Sequence, residues 1–327
     1  MIITTVASQN LKPHITRHKQ LPMTPDTHTI QETFIEVGPG GHTLYVHEWG
    51  NPESDTVIFN VHGGPGGASK DRHKQVFDPL KHRVIFFDQR GCGKSLPYGS
   101  LAHNTTDNLI ADITKIADHL NIKQFYLTGN SWGSGLSLAY AIKHPDRVKG
   151  LIISGIFTGS KPEIAWLDQG MFRIFYPDIW EQYLQDTPTR HRDKPTAYHF
   201  ANILGDNTRK AKQSGYIYEN LEGSIVKLDD RFMPREYETY DPAGIRIEVH
   251  YMANGCFMPN NYILDNAHKL TMPIWIVQGR YDMVCPPKTA HSLAAAAPHA
   301  ELIWTTSGHL TERESWNIIR LFLANLT

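Results

Sequence analysis

Cysteine is scarce in this chain: there are 3 in 327 residues, Cys92, Cys256 and Cys285, in three unrelated segments. That spacing supports neither a disulfide framework nor a cysteine zinc site, and it makes a reducing cytoplasm the expected compartment. Long apolar runs are missing too, since nothing reaches the roughly 18 residues that a membrane-spanning helix needs. Charge of one sign is absent: 32 Lys and Arg stand against 33 Asp and Glu, for a formal net charge of -1. No nucleic acid and no anionic membrane is therefore expected as a partner. The 18 histidines are scattered, with no H-E-x-x-H and no His pair beside a carboxylate at ligand spacing, so no metal or other cofactor is expected. In MIITTVASQNLKPHITRHKQ the basic residues follow the short apolar stretch, which is not the order of a secretory signal. The sequence leaves the oligomeric state open.

What remains is ordinary globular composition, 40% hydrophobic and 20% charged, in a chain long enough for a large domain with an insertion. Residues 1–31 are polar, carry Pro13, Pro22 and Pro25, and read as an N-terminal arm. TFIEV and HTLYVHEW, separated by GPGG, read as a hairpin over 33–50. TVIFNVHG (56–63), RVIFFDQ (83–89), QFYLTGN (124–130) and GLIISGIF (150–157) are short unbroken runs. They fit strands buried on both faces of a parallel sheet. Between them, residues 107–120 place Leu109, Ile110, Ile113, Ile116, Ala117 and Leu120 on one helical face, and 132–143 continue as helix up to His144-Pro145. The rhythm stops over 158–268, which has helical pieces such as PDIWEQYL and no strand alternation. It resumes with PIWIVQGR (273–280), a helix over 287–297, ELIWTT (301–306) and a final helix from about 313. The expected architecture is α/β of the α/β-hydrolase type. It has a mostly parallel sheet flanked by helices over 32–157 and 269–327, and an inserted helical cap over 158–268.

Gly129-Asn130-Ser131-Trp132-Gly133 is a G-x-S-x-G pentapeptide lying between a strand and a helix. A nucleophile elbow needs that setting, because a sharp turn must lift the serine hydroxyl above the sheet edge. On its own the pentapeptide is a common turn. A serine nucleophile also needs a base, and the base an orienting acid, in the chain order Ser, Asp or Glu, His. Asp282 follows PIWIVQGR and His309 follows ELIWTT, each at the C-terminal end of an expected strand. Either alone would be an unremarkable loop residue; the three in order point to Ser131, Asp282 and His309 as a catalytic triad. His62-Gly63-Gly64-Pro65-Gly66-Gly67 follows another strand and can present backbone N–H groups to an oxyanion. Gly64 and Trp132 are the expected oxyanion donors. A phosphate loop is the rival for this and for Gly91-x-Gly93-Lys94-Ser95, but Walker spacing is absent in both, and the second reads as a turn.

HGGPGG, DQRGCGKS, GNSWGSGLSLAYAIKHPDRV, SGIF and QGRYDMVCPP together resemble the prolyl aminopeptidase (proline iminopeptidase) family of serine peptidases, from about Gly41 to the C-terminus. The resemblance implies a metal-free enzyme that releases an N-terminal residue, usually proline, from short peptides with a free N-terminus. It also implies cap glutamates that hold the substrate ammonium. Tyr216-Ile217-Tyr218-Glu219 and Arg246-Ile247-Glu248-Val249-His250-Tyr251 match the family's glutamate segments, with Glu222 a near rival of Glu219. Phe157 of SGIF is a candidate pocket wall. The chain departs from the family pattern at Ser154, where Arg is common, in the GNSWGSG elbow, and at Met252, where an aromatic is common. These departures imply a ring pocket of altered shape and a looser preference for proline. Two alternatives stay open: an esterase, amidase or lactonase on the same triad, and a non-catalytic hydrolase-fold protein. An epoxide hydrolase or dehalogenase would need Asp at the elbow.

Overall fold

The computed structural model describes residues 27–166, 172–228, 235–310 and 313–326. The expected arm at 1–31 lies outside these residues up to position 26. From Thr29 the chain is already in the first strand, so the sheet begins earlier than the sequence pattern suggests.

Eight strands form one sheet: β1 (Thr29–Val37), β2 (His42–Gly50), β3 (Val57–Val61), β4 (Arg83–Phe87), β5 (Phe125–Ser131), β6 (Val148–Ile156), β7 (Ile274–Gly279) and β8 (Glu301–Thr305). Their order across the sheet is β1-β2-β4-β3-β5-β6-β7-β8. The hairpin β1–β2 is antiparallel, and β2 pairs antiparallel with β4. All other pairings are parallel. Every residue of β3 is buried, as are Val84 to Phe87 of β4. An apolar side chain on either face therefore meets a covering layer, and that is why these runs lack polar alternation.

Four helices pack on the sheet: α1 (Thr106–His119), α2 (Trp132–Lys143), and two further on in the chain. In α1, Thr105 caps the first turn by accepting from Asn108 N–H at 3.4 Å, and Leu109, Ile110, Ile113, Ile116 and Ala117 are buried. Each large one among them contributes about 1.5–3 kcal/mol by leaving water. α2 is buried from Trp132 to Ile142 and carries no polar face, as expected of a helix covered on all sides. Between β6 and β7 the described residues hold helices and no strand. The main ones are α3 (Pro177–Gln185), α4 (Pro195–Leu204), α5 (Thr208–Gly223) and α6 (Ala243–Ala253). They enclose their own apolar cluster of Tyr183, Ile203, Tyr218, Leu221, Ile225, Tyr240, Ile245 and Val249. After β7 come α7 (Pro287–Ala296) and, beyond β8, α8 (Arg313–Ala324). No helix among the described residues is long and apolar enough to cross a membrane.

Candidate active site

The parallel strands β3, β5, β7 and β8 all end at one edge, and that edge collects the chemistry. β5 stops at Ser131, whose backbone sits at φ 60°, ψ -130°, and α2 starts at the next residue. A non-glycine residue there is strained, and the surrounding packing holds it. The turn closes so tightly that a Cβ on Gly133 would lie 2.1 Å from the Val61 carbonyl oxygen, and one on Gly129 would lie 2.5 Å from Gly133. Only glycine lets β5, α2 and β3 approach this closely.

Asp282, in the loop after β7, is almost fully buried. Its Oδ1 accepts the N–H groups of Val284 (3.0 Å) and Cys285 (2.7 Å), and its Oδ2 accepts Gln278 Nε2 at 3.2 Å. Three donors fix the carboxylate and stabilise its charge. His309 Nδ1 lies 3.0 Å from Oδ2 and 3.1 Å from Oδ1 of Asp282. The loop that carries His309 is held from the other side, since His309 N–H and Leu310 N–H both donate to the Val226 carbonyl at 3.0 Å. Burial pulls the imidazole's pKa down, but the Asp282 charge, its hydrogen bond and the Glu222 charge outweigh burial, and the net shift is upward. His309 and Ser131 line the same cavity of about 710 Å³, together with Gly63 and Gly64. That size suits a small organic ligand.

A third loop ties the edge together. Gln89, just beyond β4, accepts from Trp132 Nε1 at 2.9 Å and donates its Nε2 to the His62 carbonyl at 2.8 Å. Its own N–H donates to His62 Nε2 at 3.0 Å, which leaves His62 Nδ1 to donate to the Gly63 carbonyl at 2.9 Å. The Gly-rich segment after β3 is thereby locked to the first residue of α2. Next along the chain, Arg90 is fully buried and pairs with Asp112 at 2.6 Å and 2.7 Å, while its remaining N–H groups reach the carbonyls of Gly38, Pro39 and His103. The DQRGCGKS segment is thus a brace for the site and not a phosphate loop. Asp88 accepts the N–H groups of Ser69 and Lys94, both at 2.8 Å, and closes the expected turn.

Two carboxyls complete the cavity wall: Glu222 near the end of α5 and Glu248 in the middle of α6. They are hydrogen-bonded to each other. Burial, then the charge and hydrogen bond of Glu222, raise Glu248 far above the usual carboxylate range. Burial also raises Glu222, against the pull of His309. Two buried like charges this close cannot both ionise cheaply, which is why both carboxyls shift upward. Glu248 Oε1 has no hydrogen-bond partner among the described residues.

Two of the expected residues are not among those that line this cavity. Glu219 does not line the cavity; it faces Arg235 at 3.6 Å, and Glu222, one turn on, takes the place expected of it. Phe157 does not line it either. It is buried in the core beside α2, with its N–H donating to Ser134 Oγ at 3.1 Å. Gly64, by contrast, does line the cavity, and the N–H of Trp132 opens α2, where the first donors have no acceptor within the helix. Sequence reasoning did not find Gln89 or the Arg90–Asp112 pair. The only signal was the DQRG tetrapeptide itself.

Residues 56–311 match the family model for the alpha/beta hydrolase fold. A probable proline iminopeptidase of Leptolyngbya boryana is 40% identical over 270 residues, covering 80% of this chain and 83% of the relative. A proline iminopeptidase of Arabidopsis thaliana is 39% identical over 284 residues, covering 82% of this chain and 72% of the relative. The chain belongs to the proline iminopeptidase family of α/β hydrolases. Among solved structures, the proline iminopeptidase of Mycobacterium smegmatis matches with a TM-score of 0.57 at 18% identity, over 89% of this chain and 98% of that one. A carboxylesterase structure from Nitrososphaera gargenis matches with 0.62 at 20% identity, over 89% and 98%. At such identities these two structures speak for the fold alone.

Proposed function

We propose that this protein is a serine aminopeptidase that releases an N-terminal residue, proline first, from short peptides through an acyl-enzyme. Ser131 attacks the first peptide carbonyl while His309 Nε2 takes its proton. Asp282 holds the imidazole by Nδ1 and stabilises the cation that forms. The N–H groups of Trp132 and Gly64 receive the oxyanion. His309 returns the proton to the leaving nitrogen, and the amide C–N bond breaks. Water then adds to the acyl carbon, with His309 again as base, freeing the amino acid and Ser131.

The observation that carries this reading is the hydrogen-bonded pair Glu222–Glu248 in the wall of the cavity that also holds Ser131 and His309. A buried carboxyl pair is costly unless it serves a cation. A substrate ammonium would take the place of a proton on the pair and satisfy the unpartnered Glu248 Oε1. An esterase of neutral substrates has no use for this pair. The names of the relatives point the same way. The helical insertion over 158–268 acts as the lid that supplies both glutamates. Three free, buried cysteines are consistent with a cytoplasmic home, and no nucleic acid or membrane partner is proposed. Proline p-nitroanilide is the direct test. The wild type should hydrolyse it, and Ser131→Ala should lose at least about 10³-fold in kcat. A Ser131→Ala variant with normal turnover would defeat the mechanism.

A further inference from the structure

The cavity has a second end that the proposed mechanism leaves unused. It runs from Ser131 along one face of the sheet, over Asn60, Thr128 and Ile152, which are lateral neighbours on β3, β5 and β6. Asn60 is only 8% exposed, yet its Oδ1 has no hydrogen-bond partner among the described residues. A buried, unsatisfied acceptor in a cavity wall is a group in want of a hydrogen-bond donor.

The walls at this end are basic. Lys70 and Arg72 come from the segment after β3, and Arg313 comes from the first residue of α8. Packing holds the two sides together. Arg320 Nε donates to the Gln75 carbonyl at 2.8 Å, and Val76, Ile318 and Phe322 pack around buried Ile319. Among the described residues no carboxylate pairs with Lys70, Arg72 or Arg313. The one acidic group acting on Lys70 is Glu219, which is itself paired with Arg235. Burial, with Arg72 next, keeps the His73 pKa at about 4, so this imidazole is neutral and adds no competing charge.

The cavity thus carries both signs: a carboxyl pair from the insertion, and Lys70, Arg72 and Arg313 with no paired carboxylate among the described residues, with Ser131 in the same cavity. We infer that the basic end is a subsite for the free C-terminal carboxylate of the substrate, which makes the enzyme selective for zwitterionic di- and tripeptides. This rests on the aminopeptidase reading. An extended dipeptide spans about 7 Å and a tripeptide about 11 Å, and each further residue carries the carboxylate about 3.5 Å onward. A cavity of about 710 Å³ is of a size for a di- or tripeptide. The guanidinium forks of Arg72 and Arg313 can each bind a carboxylate through two N–H donors, and Asn60 Oδ1, an acceptor, can take a backbone N–H of the peptide.

The test compares Pro-Ala-Ala with Pro-Ala-Ala-amide, which differ only in the terminal charge. In the wild type, kcat/KM for the free acid should exceed that for the amide by about tenfold or more. The ratio should shrink as salt rises from about 20 mM to about 500 mM, and it should approach one in Arg72→Gln/Arg313→Gln. Equal values for acid and amide in the wild type would overturn the inference, and that comparison needs no variant to fold. A preference that survives in the double variant would overturn it as well. Failure to cleave either peptide, with esters still hydrolysed, would instead defeat the aminopeptidase reading and this inference with it.

Discussion

The sheet edge and the helical insertion are built on opposite principles. At the edge, the buried polar groups that hold Asp282, His309 and the Gly-rich loop are matched, although Asn60 Oδ1 further back on β3 is not. Asp282 takes three donors besides His309, Gln89 joins three segments, and the Arg90–Asp112 pair is enclosed by backbone carbonyls. In the insertion, His199 Nδ1, Asn202 Nδ2, Arg246 Nε and Glu248 Oε1 are buried with no partner among the described residues. The proton-transfer groups need a fixed geometry, which costs little when every neighbour is satisfied. The selecting groups need the opposite, because a site that is already satisfied gains nothing from the substrate. Of the unpartnered groups in the insertion only Glu248 lines the cavity with Ser131, and its burial is what a cationic ligand would relieve.

This contrast can be broken first through stability. Asp112→Ala strips a fully buried guanidinium of its carboxylate and should destabilise the fold by about 3–5 kcal/mol in urea unfolding. Glu248→Gln should do the reverse. A carboxyl whose folded pKa is raised contributes less stability as pH rises above its unfolded value, because the folded state must hold a proton that the unfolded chain has lost. Replacing it with the amide should raise Tm by about 1–3 °C. A loss of stability in Glu248→Gln would mean that the pair holds the insertion together and does not await a ligand.

A smaller effect lies in the pH profile. The raised His309 pKa places the acid limb of kcat/KM above the usual histidine value of about 6.5, since the neutral imidazole is the active form. For a neutral ester one proton controls that limb, about tenfold per unit of pH. For a prolyl substrate the glutamate pair must also release a proton, so the limb should steepen toward two protons. Parallel limbs for the two substrates would separate the pair from substrate binding.

How far the sequence revealed this follows from the same contrast. β3, β4, β5 and β6 were legible because strands buried on both faces carry unbroken apolar runs. The positions of Asp282 and His309 were legible because each follows closely on a strand, β7 and β8. Glu222 was not separable from Glu219, since residues three apart share a helical face. Tertiary packing of Tyr218 and Leu221 into the insertion's own cluster decides which carboxylate reaches the cavity. The burial of Phe157 was hidden for a similar reason: close contact between the end of β6 and α2 places it in the core. Gln89 had no local signature, because its role exists only once three distant loops meet.

The central claim is that the edge performs the chemistry and the insertion recognises the ammonium. The most direct test compares the p-nitrophenyl esters of proline and of cyclopentanecarboxylic acid, which differ by the charged nitrogen. The wild type should prefer the prolyl ester by about 100-fold in kcat/KM, and Glu248→Gln should erase most of that preference while largely sparing the neutral ester. Equal losses on both esters, or an undiminished preference, would contradict the account.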